Sequence, residues 1–595
     1  MTSIKWQSND QRDLEWRVAK SCFEGSEGYV KIKPKKRNFG LKVSVDYRDP
    51  ENRDGEKVHI QHPFIHTPEG QILALAGSGR ILDEGAFGSV TLAEDEDGTL
   101  YTIKAAHGPG SITETEKAIL RDVNIAKESF ADPVTGQQMV LMKYLGTALN
   151  GLKFNLADGD NDDQRKEKLQ GAHWLGLKCV DAVLAFHQGT SSDSQTRYLH
   201  KDIKPANLLF ASDRDVNCNV ALIDFGVSEK ASLERWDGRK SSNYLSGTPD
   251  YMAPEILTSQ DYSFLSDIYA LGVTLSELLP QESPLQSTII KQMVSKDPIC
   301  RPNLELVKLA FLMEIYSDSS DDTISETLHS NNCRITDVGL AKQLSQKLKK
   351  PTSSINLTYA SNCLERVFYQ EEELEDKRLT QGIYQNLADH KRLRQAVVVL
   401  GQLEEFSQPD WDELFQGGET LWQAVVALGG TGAFTYDDWE TVKACSEDDQ
   451  QQINVRSRFI NFEEFKKEVR VFRKYVRESS AEGKKMAAKT FQKSCQQQVK
   501  GYLLYGLDSD QCQQATATLS QCFEAVKQHR HPALVRQAAR LYYFIRDWFK
   551  DLGSREADEH NVALPFMNLA ETAQKAHPLN TFLDEALAQQ DIALE

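Results

Sequence analysis

His200-Lys201-Asp202-Ile203-Lys204-Pro205-Ala206-Asn207 is the stretch that decides the fold of this 595-residue chain. It sets a carboxylate, two ammonium groups and a carboxamide side by side, directly before the apolar run Leu208-Leu209-Phe210. Twenty-two residues after Asp202, the apolar run Ala221-Leu222-Ile223 ends on Asp224. A strand of that kind delivers Asp224 into a site, and Phe225-Gly226 breaks it there. Outward from this centre the texture changes twice. Upstream lie strand-like runs and turns, Ile72 to Val90 and Leu100 to Ala105. Downstream to about residue 315 the pattern is mostly helical, with two short strand-turn pieces around Leu208 to Phe210 and Val220 to Ile223. A strand-rich lobe followed by a helix-rich lobe is an α+β, two-lobed layout.

Phosphoryl transfer needs a cradle for phosphates, a cation on them, metal ligands and a group that orients the attacking hydroxyl. Asp83-Glu84-Gly85-Ala86-Phe87-Gly88-Ser89-Val90 offers the cradle, because glycine lets backbone approach phosphate oxygens without a Cβ in the way. Fourteen residues past Val90 comes Tyr101-Thr102-Ile103-Lys104. After Ile223-Asp224-Phe225-Gly226, the segment Gly247-Thr248-Pro249-Asp250-Tyr251-Met252-Ala253-Pro254-Glu255 follows. Taken together, these residues resemble the eukaryotic-type serine/threonine protein kinase family over roughly residues 71 to 315. His200 to Asn207 matches H-R-D-x-K-x-x-N with lysine for arginine. Asp224 to Gly226 matches D-F-G, and Gly247 to Glu255 matches G-T-P-x-Y-x-A-P-E. The glycine-rich loop departs at Asp83, where the family has its first glycine.

The resemblance implies a two-lobed kinase fold using ATP and magnesium on protein serine or threonine substrates. Asp202 would orient or accept the proton of the substrate hydroxyl, and Lys204 would offset charge on the γ-phosphate. Asn207 and Asp224 would be the metal ligands, and Lys104 would hold the α and β phosphates. The partner of Lys104 is Glu116, with Glu114 as the alternative. Leu82, Gly85, Gly88, Val90 and Met142 would line the nucleotide pocket, Met142 at the gatekeeper position. Thr248 would hydrogen-bond toward Asp202 and Lys204, Glu255 would pair with Arg301, and Asp267 would brace the catalytic loop. Two other readings stand beside the enzyme: a pseudokinase scaffold without turnover, and a kinase-fold enzyme acting on a small molecule. The presence of Lys104, Asp202, Asn207 and Asp224 favours turnover, and the Ala-Pro-Glu segment argues against the small molecule.

The activation segment contains Arg235, Arg239, Lys240, Ser241, Ser242, Tyr244 and Ser246. Lys201 stands where an arginine usually captures a loop phosphate, and a lysine lacks the bidentate fork. Phosphorylation is therefore expected on Ser241 or Ser242, with only mild activation.

The chain is long enough for two to four domains. A net charge of -18 disfavours general attraction to nucleic acid or an anionic membrane, though a local basic patch can bind either. Ten cysteines without a CxxC pair fit a reducing, cytoplasmic setting. The N-terminal MTSIKWQSNDQRDLEW has no apolar core of a Sec signal, and no run approaches the roughly 20 apolar residues of a membrane span. The expected division is an N-terminal extension with short strands (1–70, including Leu41 to Val45), the kinase domain (71–315), a linker (316–324) and an all-α region (325–595). That last region is expected to choose substrates or targets through a partner protein. Its face Leu393, Ala396, Val397, Leu400 and its face Phe465, Val469, Phe472, Val476 have helical spacing. The region 335 to 362 looks like one leucine-rich repeat, and one copy does not stack. Asp158 to Asp163 lacks the spacing of a calcium loop, and Phe434 to Trp439 and Phe459 to Phe465 read as helix starts. The basic amphipathic stretch Lys466 to Lys489 reads as packing against neighbouring helices, with partner or membrane-surface docking as the alternative. A glutamine-rich helical tail on such a kinase is similar in style to effector kinases that intracellular bacteria deliver into host cells. The acidic end, Leu583 to Glu595, is compatible with a secretion signal.

Overall fold

The computed structural model describes residues 4–23, 44–49, 52–59, 62–76, 81–85, 88–108, 112–131, 137–152, 154, 156, 160–188, 196–211, 219–232, 237–242, 244–368, 377–403, 405–478, 482–529 and 531–560. Leu41 to Val43, the tip of the glycine-rich loop, Asp158 and Gly159, Arg235 and the acidic C-terminal end lie outside them. The chain divides into two compact units, Met1–Asn362 and Cys363–Glu595.

In the first unit, the helix α1 (Asn9–Phe23) precedes a separate hairpin of β1 (Ser44–Asp49) and β2 (Asn52–His59). An antiparallel sheet of seven strands follows: β3 (Phe64–His66), β4 (Ile72–Leu75), β5 (Ile81–Gly85), β6 (Gly88–Glu94), β7 (Leu100–Ala106), β8 (Ala126–Ala131) and β9 (Gln138–Lys143). The spatial order is β3-β4-β6-β7-β9-β8, with β5 paired to β6. Ile65, Leu73, Leu75, Ala93, Tyr101, Ile103 and Leu141 close one core over it. The pairing of Phe64 with Ala74 crosses the expected boundary at 70/71, so the sheet draws part of the N-terminal extension into itself.

The helix α1 was not expected. The N-terminal extension was expected to hold short strands, and Leu14, Trp16 and Val18 alternate with Glu15 and Arg17. As a helix, the segment buries Trp16, Val18 and Ala19 against the sheet, with Trp16 edge-on to Phe64 at 5.1 Å. It also buries Glu15 completely, where Glu15 accepts from the backbone N–H of His62 at 3.2 Å.

Between β7 and β8, α2 (Glu114–Asp122) packs beside the sheet, and the helical lobe holds α3 (Asp162–Gln188), α4 (Pro254–Ser259), α5 (Phe264–Leu278), α6 (Lys291–Met293) and α7 (Leu304–Ile315). Every residue of α7 but Glu314 is buried, so it forms the lobe's centre. The short strands β10 (Thr147–Ala148), β12 (Leu208–Ala211) and β13 (Asn219–Leu222) make a small sheet, and β11 (Tyr198–Leu199) pairs with Glu229–Lys230.

The strand-rich lobe followed by helices is therefore present as read from the sequence. The expected linker 316–324 contains the start of α8 (Asp321–Ser330), capped by Ser320. The stretch resembling a leucine-rich repeat is helical instead: α9 (Val338–Leu348), capped by Asp337, and α10 (Pro351–Phe368). Asn362 of α10 donates to the carbonyls of Ile299 and Arg301 at 2.9 and 2.6 Å, which ties this extension to the lobe.

The described part of the second unit is all helix: α11 (Lys377–Asp389), α12 (Lys391–Leu400), α13 (Gln408–Gln416), α14 (Glu419–Gly429), α15 (Tyr436–Ala444), α16 (Glu447–Ser457), α17 (Phe462–Glu478), α18 (Glu482–Tyr505), α19 (Asp510–Gln528) and α20 (Pro532–His560). Both expected apolar faces are buried: Leu393, Ala396, Val397 and Leu400, then Phe465, Val469, Phe472 and Val476. The two EF-hand-like segments are helix starts. Thr435 and Asp438 form a capping box, and Asn461 accepts from the N–H of Glu464. Asp438 is buried and also accepts from Lys500 at 2.7 Å. Among the described residues, no helix is long and apolar enough to cross a membrane.

Candidate active site

Residues from five places converge. Val90 in β6 pairs with Lys104 in β7, which in turn pairs with Val140 in β9. Thr113 caps α2 by accepting from the N–H of Glu116, and this fixes the helix turn that carries Glu116. Lys104 Nζ then donates to Glu116 Oε1 at 2.5 Å and to Asp224 Oδ1 at 3.2 Å. Glu114 is turned outward onto Lys117. Lys104 and Glu116 are buried, at 8% and 1% exposure. Burial works against the Lys104 ammonium, but Asp224 and Glu116 outweigh it and raise its pKa above the ordinary value. The ammonium therefore stays charged at neutral pH.

The catalytic-loop residues are held from behind by Asp267 in α5. That helix starts at a capping box of Ser263 and Ser266. Asp267 is completely enclosed and accepts from the backbone N–H groups of His200 and Lys201 at 2.8 and 2.9 Å, with His187 Nε2 at 3.0 Å. Burial pushes it up, and these partners prevail and hold it below the ordinary range. His200 is buried and pushed down by desolvation, edge-on to Phe225 at 5.5 Å and with Nε2 3.0 Å from the carbonyl of Ile223. Phe225 also stacks on Phe186 at 5.3 Å. The backbone turns sharply at Lys201 (φ 71°) and Asp224 (φ 64°), both in the left-handed region.

Asp202 sits at the centre of a small network. Its Oδ2 accepts from Lys204 Nζ at 2.9 Å and its Oδ1 from Thr248 N and Oγ1 at 2.8 and 2.7 Å. Lys204 also donates to Thr248 Oγ1 at 2.8 Å. Burial raises the Asp202 carboxyl, but Lys204 and Thr248 overcome this and leave it below its ordinary value. Asn207 Nδ2 donates to the carbonyl of Asp202 at 2.8 Å and to its Oδ2 at 3.2 Å. The amide nitrogen is thus committed, and the described hydrogen bonds leave the amide oxygen open. Gly247 (φ 108°) brings the Thr248 segment against the loop, where a Cβ would run into the Lys201 carbonyl oxygen.

The other sequence-predicted positions for the nucleotide lie in the sheet. Gly85 pairs with Gly88 across the β5–β6 hairpin, and a Cβ at Gly88 would meet the Ala105 carbonyl oxygen. Glycine at 88 is thus required by the sheet itself, whatever the loop holds. Met142 in β9 lies between Thr102 of β7 and Ala126 of β8, half-buried, and Leu82 is 44% exposed. Below the centre, Arg301 makes a two-pronged ion pair with Glu255 at 2.6 and 2.7 Å.

Glu229 is the site residue that the sequence reading missed. Lys201 Nζ donates to Glu229 Oε1 at 2.7 Å and sits over the Tyr262 ring at 4.2 Å. Lys240 reaches the other Glu229 oxygen at 3.0 Å. Burial alone would raise the Glu229 carboxyl, and its two lysines hold it below the ordinary range. The cation that a loop phosphate would seek is already matched inside the chain. The only signal for this was Lys201 itself, which needed a carboxylate close by. Ser241, moreover, donates to Asp261 at 2.5 Å, so a phosphate there would face a like charge. Ser241→Ala/Ser242→Ala is expected to keep phosphotransfer activity within about threefold of the parent. Activity below about a tenth would contradict a Glu229-matched Lys201.

The donor set suits ATP with magnesium. Asp224, 38% exposed at its side chain, and the open amide oxygen of Asn207 are hard oxygen ligands. Magnesium takes one or two such protein ligands and completes its shell with phosphate and water. No cluster of three or more acidic, histidine or cysteine residues among the described residues would build a self-sufficient metal cage.

Comparison with known proteins agrees with this geometry. The family model described as protein kinase domain matches residues 78–330. A mitogen-activated protein kinase kinase of Cytospora mali is 30% identical over 275 residues, 44% of this chain and 47% of the relative. A mitogen-activated protein kinase kinase of Aspergillus fumigatus is 32% identical over 210 residues, 34% and 39% of the two chains. A MAP kinase kinase of Saccharomyces cerevisiae is 30% identical over 220 residues, 35% and 39%. The chain spans under half the length of these curated relatives. Residues 78–330, which carry the network around Asp202, Lys104 and Asp224, form a protein kinase domain of the eukaryotic type.

Proposed function

We propose that the chain transfers the γ-phosphoryl group of ATP to serine or threonine hydroxyls of a protein substrate. The observation that carries this is the position of Asp202. It is ionised and fixed by Lys204 and Thr248, and a second network joins Lys104 to Glu116 and Asp224. Asp202 orients the substrate hydroxyl and takes its proton as the new O–P bond forms and the bond from the γ-phosphorus to the β–γ bridging oxygen breaks, releasing ADP. Lys204 offsets charge on the transferred group. Lys104, kept cationic and pinned by Glu116, binds the α and β phosphates. Asp224 and Asn207 would hold the magnesium, which neutralises charge between the β and γ phosphates when bound. The β5–β6 hairpin with Gly85 and Gly88, together with Leu82, Val90 and Met142, encloses the nucleotide. The chemistry is assigned to the expected domain 71–315. The helical region 325–595 is assigned to targeting or substrate choice through a partner protein. An intracellular setting with abundant ATP fits ten cysteines without a CxxC pair.

The pairing of Lys104 with Glu116 and of Asp202 with Lys204 and Thr248 supports turnover over a scaffold without it. Lys104→Met is expected to lower the rate of labelled γ-phosphate transfer to a generic basic protein by about a hundredfold or more. It removes the phosphate cation and leaves Glu116 buried opposite nothing. Transfer that survives this substitution unchanged would rule out the proposed role of the pair.

A further inference from the structure

The second unit carries a charge feature that the kinase chemistry does not use. Between residues 456 and 546 there are eighteen lysines and arginines against eight acidic residues, in a chain of net charge -18. Six of the eighteen lie on α17. Phe465, Val469, Phe472 and Val476 bury one side of that helix. Lys466, Lys467, Arg470, Arg473, Lys474 and Arg477 are all exposed. At 100° per residue, these six fall within an arc of about 120° away from the buried side. Among the described residues, the only ion pair on this arc is Lys466 to Glu463, at 3.9 Å. Glu468 belongs to the buried side and pairs with Arg540 at 2.6 Å.

The helix that follows adds an apolar element. α18 begins four residues after α17 ends, so its first turns lie at the same end of the pair as Arg473, Lys474 and Arg477. There Met486 is 72% exposed, between Lys484, Lys485 and Lys489. Ala488, Phe491 and Cys495 take the buried side of α18, which leaves Met486, Lys489 and Lys493 on the outside.

We propose that this basic face of α17, with Met486 at its end, docks on the surface of an anionic lipid bilayer. Clusters of four to eight basic residues on an amphipathic helix have the charge complementarity for acidic headgroups, each contributing about fivefold in partitioning. A lone flexible apolar side chain beside them suits shallow insertion between headgroups. A nucleic-acid surface would favour exposed stacking aromatics, and this face exposes none. The strongly negative remainder of the chain would be repelled, so docking would orient the molecule with this face toward the lipid.

The test is co-sedimentation of the full chain with vesicles of phosphatidylcholine alone and of phosphatidylserine with phosphatidylcholine at about 3:7, in roughly 0.1 M salt. The expected result is binding to the anionic vesicles only, released as salt rises. Arg470→Glu/Arg473→Glu/Lys474→Glu should weaken it about a hundredfold or more, and Met486→Asp several-fold. All of these residues are exposed, so thermal unfolding and phosphotransfer of the variants should match the parent, which separates lost docking from lost fold. Equal binding to both vesicle types, unchanged binding by the triple variant, or binding to single-stranded RNA or polyglutamate with none to anionic vesicles would each overturn the proposal.

Discussion

Asp202→Ala is expected to lower kcat by about a thousandfold, with the dissociation constant for ATP changed by less than about threefold. Asp202 touches no residue assigned to the phosphates except Lys204, whereas its carboxylate is the acceptor placed for the substrate hydroxyl. Removing it also strips a partner from Lys204 and Thr248, so part of the loss could be positional. Asp202→Asn separates the two effects, because the amide keeps one oxygen for these donors but is a far poorer base. If proton acceptance matters, Asn is as inactive as Ala. Activity in the Asn variant within about tenfold of the parent would assign Asp202 a purely positional role. The pH dependence follows from the same environment. Lys204 and Thr248 depress the Asp202 pKa, so the base is ionised above the ordinary carboxylate range and loses its function only as pH falls through the depressed value. No limb of log kcat assignable to Asp202 is expected above about pH 4. The stability from these contacts has the same sign: present above the unfolded pKa, and lost as acid protonates the folded carboxyl.

The largest loss of stability is expected from Arg301→Ala. Arg301 is completely buried and satisfied by four contacts: two to Glu255, one to the carbonyl of Leu265 at 2.8 Å and one to that of Ser295 at 3.0 Å. Truncation leaves a carboxylate and two carbonyls without their donor in a region that water barely reaches. Breaking a buried pair from one side costs about 3–5 kcal/mol. For a unit of this size that corresponds to a fall of roughly 5 °C in the unfolding transition that ATP and magnesium shift upward. Pairing the change with Glu255→Gln should recover part of the loss, since no uncompensated charge then remains. A shift of under about 2 °C for Arg301→Ala would contradict the view of this pair as the main brace of the Ala-Pro-Glu segment.

What the sequence made legible was whatever is written in short, contiguous form. His200 to Asn207, Ile223 to Gly226 and Gly247 to Glu255 each set their chemistry within a few residues. A local turn brings Asn207 to Asp202, and the turn at Gly247 brings in Thr248 from further along the chain. Glu116 needed one more step, a helix cap at Thr113, and so Glu114 stayed open until the turn of α2 was known. Pairings between distant, chemically ordinary residues were not legible. Glu229 is one acid among eighty-seven acidic residues, and only its distance from Lys201 gives it meaning. The helix α1 was hidden by an alternation of apolar and charged residues that serves strand and helix equally until Glu15 is seen to be buried. The helices α9 and α10 hid behind leucine spacing shared with a different architecture. In the all-α region, by contrast, periodicity succeeded because Leu393 to Leu400 and Phe465 to Val476 are buried on one side only. The same one-sidedness exposed the basic face of α17.

The most direct test of the central claim is phosphoamino-acid analysis of a basic protein incubated with labelled ATP and magnesium, using the full chain and its Asp202→Ala variant in parallel. The account predicts phosphoserine or phosphothreonine from the parent and only background label from the variant. Equal label from the two proteins, or label confined to tyrosine, would contradict it.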